Sequence, residues 1–100
     1  MAAEVRWTKR SRRQFNQVLS YLARREPDAV GTVSDAITSQ VERLADHAYL
    51  GSVFRRTRRG EVRETLAVNY RIFYRVERKG AMVRVLCLWH ARRQDPDFWG

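Results

Sequence analysis

From Val68 to Val76 the side chains alternate in strict period two: Tyr70, Ile72, Tyr74 and Val76 take one parity, and Asn69, Arg71, Phe73 and Arg75 the other. Extended backbone sends successive side chains to opposite faces, so the run specifies a strand whose first set turns to a core. The second set is harder to place, because it stands two arginines on either side of a phenylalanine on the face away from that core.

The neighbouring segments fix what this strand pairs with. Lys79-Gly80 suits a tight turn, and pairing Arg78 with Ala81 gives a hairpin in which Arg75 faces Arg84, Phe73 faces Leu86 and Arg71 faces Leu88. In that register Val83, Val85, Cys87 and Trp89 join the core face. Arg84, Leu86, Leu88 and His90 then join Arg71 and Phe73 opposite. Residues 62–68 form a further strand, whose pattern leaves the facing of Glu64 open by one residue.

Before the strands the period changes. Glu4 to Trp7 is a short strand candidate, and Thr8 can cap a helix by accepting from a free first-turn amide. Phe15, Val18, Leu19 and Leu22 then fall on one helical stripe, with Arg12, Arg13, Arg24 and Arg25 off it. Pro27 ends this helix and can open the next, unless Gly31 delays the start to Thr32 with Asp35 following. Val30, Val33, Ile37, Val41 and Leu44 make the second apolar stripe. So short a break folds the two helices back on each other as an antiparallel hairpin. Residues 52–60 lose the pattern and read as a loop carrying Arg55, Arg56, Arg58 and Arg59.

A chain of 100 residues supports one domain, residues 1–100, and contains no internal repeat. No apolar run approaches the ~18 residues of a spanning helix, and the first ten residues are too polar for a secretory signal. The expectation is a soluble, cytoplasmic protein with no membrane partner. One cysteine, Cys87, excludes an internal disulfide and a cysteine-rich metal site; it reads as a small buried hydrophobe. His47 has no partner at ligand spacing, and neither a metal nor a cofactor is expected. The formal net charge is +9, and 18 of the 20 basic residues are arginine. Charge is segregated, with residues 26–50 acidic and both flanks basic, so an anionic partner is expected: nucleic acid, or an acidic protein segment.

These residues carry a resemblance. The order strand, helix hairpin, basic loop and strand meander, with Val62-Arg63-Glu64, Asn69 to Tyr74 and His90-Ala91-Arg92-Arg93, resembles the RelE/ParE superfamily of bacterial type II toxins, most of all its ParE branch. The resemblance spans nearly the whole chain. It implies an α+β fold in which an N-terminal strand and an antiparallel helix hairpin pack on a twisted, mainly antiparallel sheet. It also implies a plasmid-stabilisation type toxin that inhibits DNA gyrase by binding, without enzymatic chemistry, and that is neutralised by the C-terminal segment of a ParD-like antitoxin.

Two alternatives stay open. A RelE-like reading is a ribosome-dependent endoribonuclease cutting messenger RNA, for which Arg71, His90, Arg92 and Arg93 are the catalytic candidates: the arginine stabilises the crowded phosphate and the histidine moves a proton. Against it, no tyrosine follows Tyr74, and residues 51–59 offer neither glutamate nor lysine. The other alternative is a non-toxic basic module that binds nucleic acid through charge alone. Candidate target or nucleic-acid contacts are Arg55, Arg56, Arg58, Arg59, Arg71, His90, Arg92 and Arg93. Candidate antitoxin contacts are Phe15, Leu19, Phe73, Leu86 and Leu88. Phe98 and Trp99 either fold back on the sheet or meet the partner.

Overall fold

A computed structural model describes residues 2–96, so Phe98 and Trp99 lie outside the described residues. In chain order the elements are β1 (Glu4–Trp7), α1 (Lys9–Arg25), a short 3-10 turn at Pro27–Ala29, α2 (Val30–Asp46), β2 (Ser52–Thr57), β3 (Gly60–Ala67), β4 (Tyr70–Glu77) and β5 (Met82–His90). The strands form one sheet in the order β1-β5-β4-β3-β2. β1 runs parallel to β5, and every other pairing is antiparallel. The expected α+β architecture is therefore present, with its N-terminal strand beside the last strand.

Both helices cover one face of the sheet. Leu22, Val33, Ile37 and Val41 pack on Ile72, Val85 and Leu88, with Phe15, Val18 and Tyr70 at the margin. Leu44 continues the layer against Tyr74, Val76 and Val83. Thr8 caps α1 as its position predicts, its hydroxyl accepting from Ser11 N at 3.1 Å. The same turn also closes the sheet. β1 stops opposite Val85, which leaves the outer edge of β5 beyond that point without a strand. Thr8 N and Ser11 Oγ donate to Val85 O at 3.0 and 2.9 Å, and Gln14 Oε1 accepts from Leu88 N at 2.9 Å. Backbone groups of β5 are thereby satisfied by the amide of the cap residue and by the Ser11 and Gln14 side chains of α1 where the ladder ends.

Three features depart from the sequence reading. Residues 52–57 are a strand, not a loop: β2 pairs with β3 as an edge, and a bulge between Val53 and Arg55 sets Phe54 out of register. Arg55 and Arg56 within it, and Arg58 and Arg59 just after it, hide this strand, because an edge with one solvated face has no need of apolar alternation. Second, Val68 is not in the strand. It turns the β3–β4 hairpin with Asn69, at φ 55°, a left-handed conformation that a β-branched residue rarely takes.

The third departure decides the site. Arg75 does face Arg84, but a bulge in β5 at Leu86 shifts every later pair by one: Phe73 lies opposite Cys87, Arg71 opposite Trp89, and Tyr70 opposite His90. A one-residue slip exchanges faces. Cys87 and Trp89 therefore leave the helix side, and Leu88 and His90 move to it. The face away from the helices acquires its own small core, in which Val62, Phe73, Leu86 and Cys87 are covered by Phe54 and Trp89. Phe54 meets Phe73 edge-on at 4.8 Å between ring centroids. Phe73, Leu86 and Leu88 are all buried within the chain; the open apolar surface expected of them is already filled. Glu64 pairs with Phe73 and so points away from the helices, which settles the facing that its sequence pattern left open.

Candidate functional site

Arg71 and His90 were expected to emerge together; the bulge at Leu86 places them on opposite faces of the sheet. On the helix-free face, Arg71 spends its whole guanidinium within the chain. Nε and Nη2 donate to Glu64 Oε2 at 2.9 and 2.6 Å, and Nη1 lies 2.9 Å from Asp95 Oδ1. Its guanidinium carbon sits 4.8 Å from the centre of the Phe73 ring. Burial works against the charge, yet the hydrogen bonds and charges of Glu64 and Asp95 outweigh it, and the pKa of Arg71 is raised. A cation so engaged has little left to offer a phosphate.

His90, on the helix side, stands edge-on to Tyr70 with centroids 5.4 Å apart, and its Nδ1 accepts from Arg92 N at 3.2 Å. Burial, followed by the charges of Tyr21 and Glu26, raises the pKa of Tyr70, so that ring stays neutral beside it. Arg93 crosses back over Trp89, 3.6 Å from ring centroid, and Trp89 Nε1 donates to Gln94 O at 2.6 Å. Arg92 is exposed. The four candidate catalytic residues thus do not converge on one point.

The remaining candidates divide between two places. Arg55 and Arg56 are exposed on β2, where Arg56 is 3.5 Å from Glu61. Arg58 and Arg59 occupy the β2–β3 turn and overhang a cleft of about 550 Å³ on the helix-free side. Lys9 and Arg10, which the sequence reading passed over, line it as well, together with Arg75 of β4. A signal for the first two was present: two further arginines, Arg12 and Arg13, follow them, so α1 opens on cations directly after its cap, with no acidic residue in the first turn, against the sense of the helix dipole. Phe15 and Leu19 are half-buried on α1, Phe15 stacked on Trp7 at 5.3 Å.

Among the described residues, no group of three or more His, Cys, Asp or Glu side chains could hold a metal ion, and no helix is long and apolar enough to cross a membrane.

Comparison with known proteins bears on the whole chain. Residues 5–95 match the family described as "ParE toxin of type II toxin-antitoxin system, parDE". The chain is 32% identical over 97 residues to "Putative toxin Y4kP" of Sinorhizobium fredii, covering 92% of each protein. Its fold is similar to a chain of the chromosomal ParDE system from P. aeruginosa, with a TM-score of 0.71 at 18% identity over 91% of this chain and 98% of that one. It is also similar to a chain of the toxin-antitoxin complex RelBE2 from Mycobacterium tuberculosis, with a TM-score of 0.58 at 21% identity over 90% and 99%.

Proposed function

The chain belongs to the ParE toxin family of type II toxin-antitoxin systems, and from that membership we propose that it inhibits DNA gyrase by binding, making and breaking no bonds itself, while a ParD-like antitoxin keeps it inactive in the cytoplasm. The observation that carries the binding mode is the separation of Arg71 from His90. Cleavage of a phosphodiester needs a proton acceptor, a proton donor and a cation around one phosphate. Here the candidate cation is saturated by Glu64 and Asp95 on one face, and the imidazole lies on the other. The exposed arginines of β2 and its turn, Arg55, Arg56, Arg58 and Arg59, are the proposed target contacts, with Arg92 and Arg93 at the opposite end of the sheet.

The antitoxin is proposed to meet the helix hairpin through an amphipathic C-terminal segment. Of the five apolar contacts considered, Phe15 and Leu19 remain accessible in part on α1 and are kept; Phe73, Leu86 and Leu88 are buried in the free chain and are not. The structural neighbours belong to toxin-antitoxin systems, which supports a partner of this class.

Induction in bacteria tests the target. Gyrase poisoning produces the DNA-damage response and filamentation while transcripts stay full length, and the purified chain inhibits supercoiling by gyrase. Messages truncated in the ribosomal A site soon after induction, with cutting abolished by Arg71→Ala or His90→Ala, would overturn the proposal.

A further inference from the structure

The cleft under Arg58 and Arg59 does not end at its own rim. Lys9, on its wall, also lines a second concavity that runs along the outer side of α1 past Arg12, Arg13, Asn16, Ser20 and Arg24. Neither lining contains an aspartate or glutamate. Helical spacing explains the continuity: positions 9, 13, 17, 20 and 24 recur every three or four residues and so form one row. That row lies on the side of α1 turned away from Phe15 and Leu19. From Lys9 to Arg24 it extends about 22 Å at the rise of an α-helix, and the cleft lengthens it beyond the N-terminus.

Three things make this row more than a solvated face. Its cations cluster at the end of α1 where the dipole disfavours them. Among the described residues Lys9, Arg12, Arg13, Arg58 and Arg59 have no acidic partner. And the Nε of Arg75, on the cleft wall, is buried with no hydrogen-bond partner among the described residues, a donor of the kind that native folds rarely leave unsatisfied.

We propose that this track, from Arg58 and Arg59 through Lys9 to Arg24, binds the phosphodiester backbone of a nucleic acid directly. A straight, rigid row suits a linear polyanion with evenly spaced charge: about 22 Å of helix spans some six or seven phosphates of one duplex strand, at about 3.4 Å of axial rise each. A short acidic peptide would fill the cleft and leave the helix row idle. Binding is driven by charge, because the track meets the strand chiefly through lysine and arginine side chains, which phosphates engage whatever the sequence. The inference does not depend on gyrase being the target, and the following assay contains none, so its failure leaves the target reading untouched.

The full-length chain is titrated by fluorescence anisotropy against a duplex DNA of about 16 base pairs, an RNA strand of equal length and a polyglutamate peptide, across a range of salt. The track predicts nucleic-acid affinity that falls linearly in log K against log salt. Arg58→Gln/Arg59→Gln and Arg13→Gln/Arg24→Gln each reduce the slope by about two; Arg43→Gln, on α2, leaves it unchanged. Tighter binding of the RNA with the same variant pattern keeps the track and assigns it to RNA. No binding at low salt overturns the proposal, as does an Arg43→Gln effect equal to the others, sensitivity to only one of the two double variants, or polyglutamate bound as tightly as nucleic acid.

Discussion

Glu77 holds apart two guanidiniums that the sheet register forces together. Arg75 and Arg84 are direct cross-strand partners, a like-charge pair that costs stability wherever it is uncompensated. Glu77 Oε2 accepts from Arg75 Nη1 at 3.0 Å and Arg84 Nε at 3.2 Å, and Oε1 from Arg84 Nη2 at 3.3 Å, with the carboxylate side chain only 11% exposed. Glu77→Gln keeps the shape and removes the charge. The amide oxygen can still serve one arginine, but its NH2 group turns a donor toward the other, so one charge-assisted hydrogen bond of about 1.5–3 kcal/mol is lost. We expect a loss near 2 kcal/mol at neutral pH, a fall in Tm of roughly 8–16 °C for a domain this size. Burial pushes the Glu77 carboxyl upward, but the hydrogen bonds and charges of Arg84 and Arg75 outweigh it and hold its pKa below 4.5. A depressed carboxyl contributes its stability above 4.5 and loses it as pH falls through the folded-state value. Urea unfolding of both proteins should therefore show a gap at pH 7 that narrows toward pH 3, and an Arg84→Met background should shrink it. A gap of the same size at both pH values, or one below about 0.5 kcal/mol at pH 7, would refute the reasoning.

Tyr74→Phe strands the buried amide of Gly51, which donates to the Tyr74 hydroxyl at 2.8 Å; we expect a loss of about 1–3 kcal/mol, read by thermal melting, and an unchanged Tm would show that the amide finds another acceptor. Val68→Asn should stabilise the chain by about 1 kcal/mol, because asparagine tolerates the left-handed turn; a lower Tm would mean that the valine side chain, half-exposed as it is, does packing that outweighs the strain. Above pH 9 the protein should lose stability, since burial foremost raises the Cys87 thiol above 9.0 despite its bond to Gln14: the native state favours the protonated thiol, whose contribution is complete below pH 9 and is lost as pH rises through the folded-state value. Cys87→Ala should flatten the stability profile above pH 9, and an equally steep profile in the variant would assign the loss to other groups.

Most of the fold was legible because it rests on local signals. Thr8 marked the start of α1, Pro27 its end, and the even-numbered residues of β4 announced their core face by period alone. The register of the β4–β5 hairpin was right near its turn, at Arg75 and Arg84, and wrong beyond Leu86. The reason is chemical: Val85, Leu86, Cys87 and Leu88 are all apolar, so no polar residue marks which of them is the extra one, and the bulge is fixed instead by α1 reaching over to Val85 and Leu88 with Thr8, Ser11 and Gln14. That contact joins residues more than seventy positions apart, and no window of sequence contains it. β2 escaped notice for a related reason: Phe54, the apolar residue it packs on the helix-free face, sits at a bulge beside arginines. The basic opening of α1 was visible but was taken only as residues off an apolar stripe; the absence of any acidic residue after Thr8 is what sets it apart.

The separation of Arg71 from His90 is directly observable by aromatic NOESY on the purified chain. With the bulge at Leu86, His90 ring protons give cross-peaks to the Tyr70 ring and none to Phe73. Cross-peaks from His90 to the Phe73 ring would put imidazole and guanidinium on one surface and restore the chemistry of RNA cleavage as the better explanation of this toxin.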